Sequence, residues 1–204
     1  MLTAVSESVD WSDALHRLRR DGFLRLPNAL DGMACRTLTE VAPEPWHELP
    51  PEEGVVRQNG HATGGPVAGA HAVVRQFADD VVSAIAGASS DSTGPPSFNE
   101  VTWTLYPEGA GHITAHRDPV DVGGVVAIVT LRGTATFEVK APHESVEWLT
   151  DAGDIVLLCG NGWPEGDTRC PVHAVGPPVG GDRMILTLRH NKRGAGADYF
   201  PASA

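Results

Sequence analysis

The chain lacks the features of disulfide-bonded, membrane-spanning and polyanion-binding proteins. Its three cysteines, Cys35, Cys159 and Cys170, are odd in number and irregularly spaced, which favours reduced thiols and a cytoplasmic protein. No apolar run is long enough to cross a bilayer, and the first residues show no secretory signal. Lysine and arginine total 15 against 26 aspartate and glutamate, a net charge of −11, which disfavours nucleic acid as a partner. We therefore expect a soluble, cytoplasmic protein.

Glycine, proline and apolar residues are plentiful, and they indicate one globular domain with many turns. The 204 residues include 23 glycines and 16 prolines, and 41% of them are hydrophobic. The pattern divides the domain into a helical and loop-rich support (residues 1–98), which includes a substrate lid, a strand-rich core (99–192) and a tail (193–204).

The first half predicts three helices separated by loops. One begins at an N-cap, Ser8, and stops at Gly22; the next is capped by Asp31. The third, "VAGAHAVVRQFADDVVSAIAG", has an apolar stripe and ends at a glycine; the residues concerned are Val73, Phe77, Val81, Ile85 and Gly87. The segment "VRQNGHATGGP" is polar and glycine-rich, and we expect it to be a loop.

The second half changes to a period of two. It holds about eight short segments rich in β-branched or aromatic residues: "EVTWTLY", "HITAH", "VVAIVTL", "ATFEVK", "SVEWLT", "DIVLLC", "CPVHAV" and "RMILTLRH". Such spacing predicts a mainly β (α+β) fold with a jelly-roll core, supported by the N-terminal helices.

In two of these segments, apolar and polar residues alternate, and this alternation predicts what each face of the strand contacts. In "EVTWTLY" the apolar face carries Val101, Trp103 and Leu105, and in "RMILTLR" the other face carries Arg183 and Arg189. We expect the apolar faces to pack on the helices and the polar faces to line the inside of the jelly roll. Two buried arginines would be costly without an anionic partner.

The stretch "GHITAHRDPV" contains a candidate metal site. His116 and Asp118 are two residues apart, so on a strand both side chains project to one face. His173, in a late short strand, completes a set of two histidines and one carboxylate, which leaves positions open on Fe(II). A rival zinc site of Cys159, Cys170 and His173 has no usual ligand spacing.

The order of these features resembles the Fe(II)- and 2-oxoglutarate-dependent oxygenases, which are double-stranded β-helix (jelly-roll) enzymes with an H-x-D…H triad and a downstream arginine. Within them, "TLYPEGAGHITAHRD" and "RMILTLRHN" are similar to motifs of the AlkB-like branch. The resemblance covers residues 98–192. It departs from the AlkB-like pattern at Thr104, where that branch has asparagine.

The resemblance implies a role for each matching residue. It makes His116, Asp118 and His173 the ligands of Fe(II), and it makes Arg183, Arg189, Tyr106 and Thr104 the residues that contact 2-oxoglutarate. It implies O2 as the second co-substrate, with succinate and CO2 as products. Because the carboxylate Asp118 is present, the implied reaction is hydroxylation or another C–H oxidation.

The substrate is the part of the function that the residues leave open. Compactness and acidity favour a small molecule, with His61, His112 and Arg117 as candidate contacts. One alternative is oxidative demethylation of nucleic acid, although no basic and aromatic nucleotide-gripping segment is visible. Another is a non-catalytic jelly-roll protein that binds a metal or a ligand.

Overall fold

Three helices lead into an antiparallel β-structure in a computed structural model of the chain. The structure describes residues 9–49, 56–88, 96–140, 145–163 and 170–195. The helices are α1 (Trp11–Asp21), α2 (Gly32–Glu40) and α3 (Ala72–Ala88). The strands are β1 (Phe23–Leu26), β2 (His47–Glu48), β3 (Gln58–Asn59), β4 (His61–Pro66), β5 (Glu100–Tyr106), β6 (His112–His116), β7 (Val122–Lys140), β8 (Ser145–Thr150), β9 (Ile155–Cys159), β10 (Val172–Val175) and β11 (Val179–Asn191).

Side-chain caps fix where α1 and α2 begin. The carboxylate of Asp10 accepts hydrogen bonds from the backbone N–H groups of Ser12 and Asp13, so Asp10 is the N-cap of α1. The predicted cap, Ser8, was wrong and lies outside the described residues. Gly22 ends α1 in the left-handed conformation, as predicted. Asp31 caps α2, also as predicted.

Helix α3 confirms the predicted apolar stripe with two adjustments. Phe77, Val81 and Ile85 are buried, but the valine at the start of the stripe that is buried with them is Val74 rather than Val73, which is only partly buried. The helix also continues past Gly87 to Ala88.

Within the described residues, no helix has both the length and the apolar composition needed to cross a membrane.

The strands form two sheets that share β7. One sheet has the order β2-β4-β5-β11-β7-β9-β1, and the other has the order β8-β7-β10-β6-β3. The first part of β7 pairs with β9 and β11, and its last part pairs with β8 and β10. This arrangement is the double-stranded β-helix that the sequence predicted.

Two segments differ from their predicted structure. The segments at 125–131 and 135–140 were predicted as two strands but belong to the single strand β7. A glycine with positive φ, Gly133, lies between them, where a Cβ would collide with the carbonyl of Asp182. The predicted loop at 56–66 contains β3 and β4, because β4 pairs with all of β5 except Tyr106.

The two faces of β5 and β11 have different neighbours, as their alternation predicted. Val101, Trp103 and Leu105 lie in the core between the larger sheet and the helices, with Leu186 of β11. The alternate residues of both strands face the space between the sheets, and six of them line a cavity there; these are Thr102, Thr104, Tyr106, Ile185, Thr187 and Arg189.

Candidate metal and co-substrate site

The three predicted metal ligands come together at the cavity between the sheets. His116 ends β6, Asp118 follows two residues later, and His173 on β10 pairs in register with His116. One nitrogen or oxygen atom of each side chain lies within 4.8 Å of the others. Two imidazoles and one carboxylate on one face match the ligand set of non-haem Fe(II), with open positions toward the cavity.

Hydrogen bonds orient both imidazoles. The Nδ1 atom of His116 lies 2.9 Å from the carbonyl oxygen of Thr114, and that of His173 lies 3.5 Å from the carbonyl oxygen of Pro171. A proton on Nδ1 that is donated to a carbonyl leaves the lone pair on Nε2 for a metal. The ring of Phe137 is stacked parallel to His173 and fixes its plane.

The environment of His173 favours the neutral imidazole. Burial lowers the pKa of His173 to about 4; the charge of Asp118 opposes this effect and His116 adds to it. A neutral imidazole is the form that binds a metal. The donor atoms, the orientation and the neutral state of His173 therefore fit Fe(II).

A cavity with an open mouth lies beside the triad. The space that a water-sized sphere can occupy in it is about 60 Å³. Half of the residues that line it are apolar or aromatic, and half carry polar or charged side chains: Leu49, Gln58, Thr102, Thr104, Tyr106, Ile113, His116, Asp118, Val126, Ile128, Phe137, His173, Val175, Ile185, Thr187 and Arg189.

Arg183 is a fully buried cation that is not among the described residues that line this cavity. It lies opposite Tyr106, which does line the cavity, in the pairing of β11 with β5. Its Nη2 donates to the hydroxyls of Thr130 (3.0 Å) and Thr150 (3.2 Å), while Nε and Nη1 have no hydrogen-bond partner among the described residues. Burial lowers the pKa of Arg183 to about 10. An unpartnered N–H group on a buried guanidinium fits a carboxylate ligand.

Arg189, the second predicted contact of 2-oxoglutarate, already has a carboxylate partner. It forms a buried ion pair with Glu100, and Asn191 donates to the same carboxylate at 3.4 Å. Arg189 lines the cavity six residues from Arg183, which is about 20 Å along a strand. Its role toward 2-oxoglutarate stays a prediction.

The other predicted contacts divide into two groups. Thr104 and Tyr106 are buried and line the cavity. The three candidate substrate contacts are not among the described residues that line it. His61 is exposed, His112 Nδ1 lies 2.9 Å from the carbonyl oxygen of Ala110, and Arg117 donates to the carbonyl of Cys170 at 2.7 Å.

The rival zinc site is absent from the described residues. The cluster of metal-binding side chains in that part of the chain is the histidine–aspartate triad. The thiol of Cys159 donates to the carbonyl of Leu18 at 3.4 Å and lies in the core beside the helices, whereas His173 faces the cavity. All three cysteines are buried and free, in accord with the expectation of reduced thiols.

Several residues of the site were not predicted. They are Glu100, Thr102, Thr130 and Thr150. The parity of "EVTWTLY" places Glu100 and Thr102 on the cavity face, so this signal was present in the sequence. The sequence carries no comparable signal for the two hydroxyls that hold Arg183, because Thr130 lies on β7 and Thr150 lies on β8.

Comparison by sequence finds no matching family model and no matching curated protein. Comparison by structure finds a Pseudomonas putida prolyl-4-hydroxylase (TM-score 0.61, 19% identity, 89% of this chain and 98% of that chain). It also finds the alpha-ketoglutarate-dependent carbocyclase SnoK from nogalamycin biosynthesis (TM-score 0.63, 13% identity, 92% and 85%). A third similar structure is OsALKBH1 (TM-score 0.58, 16% identity, 84% and 99%).

The chain has the fold of the 2-oxoglutarate- and Fe(II)-dependent oxygenases. The similar structures include prolyl hydroxylases, enzymes of nogalamycin biosynthesis and OsALKBH1. The AlkB-like branch is therefore one of several branches with this fold.

Proposed function

We propose that the protein is an Fe(II)- and 2-oxoglutarate-dependent dioxygenase that hydroxylates, or otherwise oxidises a C–H bond of, a small molecule. The observation that carries this proposal is the triad of His116, Asp118 and His173 at a cavity with the buried, incompletely bonded Arg183 beside it. A metal site alone would suit many functions. The added cation selects a co-substrate that carries a carboxylate.

Each residue then has a defined task. The Nε2 atoms of His116 and His173 and a carboxylate oxygen of Asp118 hold the metal. Arg183 binds the distal carboxylate of 2-oxoglutarate through an N–H group that the protein leaves unpartnered, while Thr130 and Thr150 keep its guanidinium in place. When bound, Fe(II) with 2-oxoglutarate and O2 supplies the oxidation of a C–H bond and yields succinate and CO2.

Part of the cavity wall beside the triad is apolar. Apolar side chains from both sheets surround the triad, among them Val126, Ile128 and Phe137. Such a lining strengthens the electrostatic hold of Arg183 on an anion. It also suits the apolar part of a small substrate.

Replacement of Asp118 tests the enzymatic proposal. With Fe(II), 2-oxoglutarate and O2 present, we expect the wild-type protein to form succinate slowly even before its substrate is known. Asp118→Ala should abolish this succinate, because the carboxylate ligand is lost; the exposed Asp13→Ala is the matched control. Undiminished succinate formation by Asp118→Ala would show that the triad is not the site of reaction.

Nucleic acid demethylation is the second candidate, favoured by the structural similarity to OsALKBH1. The net charge of −11 opposes it, because phosphate binding needs clustered cations. Affinity for single-stranded DNA, measured by fluorescence anisotropy at two salt concentrations, separates the candidates. Tight, salt-dependent binding would favour the demethylase, and absence of binding would favour the small-molecule oxygenase.

A further inference from the structure

One buried hydroxyl of the cavity wall has no hydrogen-bond partner in the protein. Thr102, on β5, is 5% exposed, lines the cavity, and its Oγ1 is bonded to no described group. The residue paired with it on β4 is Gly64, which has no side chain to offer a partner. A buried hydroxyl without a partner costs about 1–3 kcal/mol, so its retention in a cavity points to a ligand.

The wall around Thr102 is polar but carries no net charge. The residue across from it on β11 is Thr187, a second hydroxyl that lines the cavity. The next cross-strand pair is Glu100 with Arg189, whose charges compensate each other in a buried ion pair. This part of the wall is therefore suited to a neutral hydrogen-bonding group rather than to an anion.

Distance along the sheet separates this wall from Arg183. On the cavity face, the cross-strand pairs run from Tyr106 with Arg183, past Thr104, to Thr102 with Thr187. Thr102 and Tyr106 are four positions apart, about 13 Å along a strand. 2-Oxoglutarate, a five-carbon diacid, is too short to reach from Arg183 to Thr102 and also to turn toward the triad.

We infer that Thr102, with Thr187 beside it, is a substrate subsite that binds a neutral hydroxyl or amide group of a small, otherwise apolar molecule. The inference rests on the proposed function and deepens it. The apolar part of the substrate would contact Leu49, Val126 and Ile128, which line the same cavity.

The first test measures how much the unpartnered hydroxyl of Thr102 destabilises the ligand-free protein. Thr102→Val keeps the shape and removes the hydroxyl, so we expect the melting temperature to rise by about 2–4 °C. The control is Thr63→Val, a buried threonine paired with Trp103, on the opposite face of the sheet. A melting temperature lowered by Thr102→Val would show a structural partner for the hydroxyl and would overturn the inference.

The second test measures ligand binding with matched probes. Cyclohexanecarboxamide and cyclohexanecarboxylate are titrated by NMR into protein loaded with diamagnetic Zn(II) and 2-oxoglutarate. We expect the amide to bind more tightly than the carboxylate, to lose at least tenfold in Thr102→Val, and to retain its affinity in Thr102→Ser and Thr63→Val. Equal binding to Thr102→Val, preference for the carboxylate, or no binding of either probe would overturn the inference.

The affinity for 2-oxoglutarate separates failure of this inference from failure of the proposed function. Thr102→Val should leave the Kd of 2-oxoglutarate within twofold of the wild-type value; a tenfold loss would place Thr102 in the co-substrate site and overturn the inference. If the wild-type protein binds no 2-oxoglutarate, the proposed function fails. In that case the Thr102 subsite is tested by the same probe titrations on protein loaded with Zn(II) alone, and the same outcomes support or overturn it.

Discussion

Replacement of Arg183 by glutamine should weaken 2-oxoglutarate binding far more than it weakens the fold. Burial lowers the pKa of Arg183 to about 10, a shift that corresponds to an unfavourable free energy of about 3 kcal/mol for the charged side chain. A carboxylate bound to an unpartnered N–H group of Arg183 would offset that cost. We therefore expect Arg183→Gln to raise the Kd of 2-oxoglutarate on the order of 100-fold.

Calorimetric titration of 2-oxoglutarate into metal-loaded protein under anaerobic conditions measures this effect. Arg17→Gln is the matched control, because Arg17 lies on the exposed face of α1 and pairs only weakly with Asp13 at 3.9 Å. Arg183→Lys keeps the charge but loses the planar fork, and it should also bind weakly. Wild-type affinity in a folded Arg183→Gln protein would refute the assignment.

Three further predictions concern the fold. Asp154→Ala should lower the free energy of unfolding, measured by urea denaturation, by about 3 kcal/mol. The reason is that this buried carboxylate accepts hydrogen bonds from Arg25 and from backbone N–H groups. An unchanged urea midpoint would contradict this prediction. Gly64→Ala should lower the melting temperature, because a Cβ there would collide with the carbonyl of Val101; an equally stable variant would show that β4 does not approach β5 so closely. Burial raises the pKa of the Cys35 thiol, so this thiol should react with Ellman's reagent only after unfolding; rapid reaction of the native protein would contradict its burial.

Local patterns in the sequence were enough to predict the elements nearest the site. The parity of "EVTWTLY" and "RMILTLR" fixed which side chains face the cavity and which face the helices, because alternation in a strand is a local property. The spacing of His116 and Asp118 predicted two neighbouring metal ligands, although Asp118 follows the end of β6 at His116. The cap at Asp31 also depends only on neighbouring residues.

Features that depend on distant pairing were missed. The segment around Gly64 was interpreted as a loop, yet it forms β4 because β5 lies beside it. A glycine-rich sequence carries little signal for a β-strand. The glycine at position 64 is explained by the close approach of β5, because a Cβ there would collide with the carbonyl of Val101. The ion pair of Arg189 with Glu100 likewise joins two strands separated by 89 positions, so no local pattern marks it.

The central claim is that iron and 2-oxoglutarate meet at the triad of His116, Asp118 and His173. The most direct test is an anaerobic titration of the metal-free protein with Fe(II) and then with 2-oxoglutarate, followed by visible absorption. The account predicts a weak charge-transfer band that requires both additions and is absent in Asp118→Ala. Bound iron without any such band after addition of 2-oxoglutarate would contradict it.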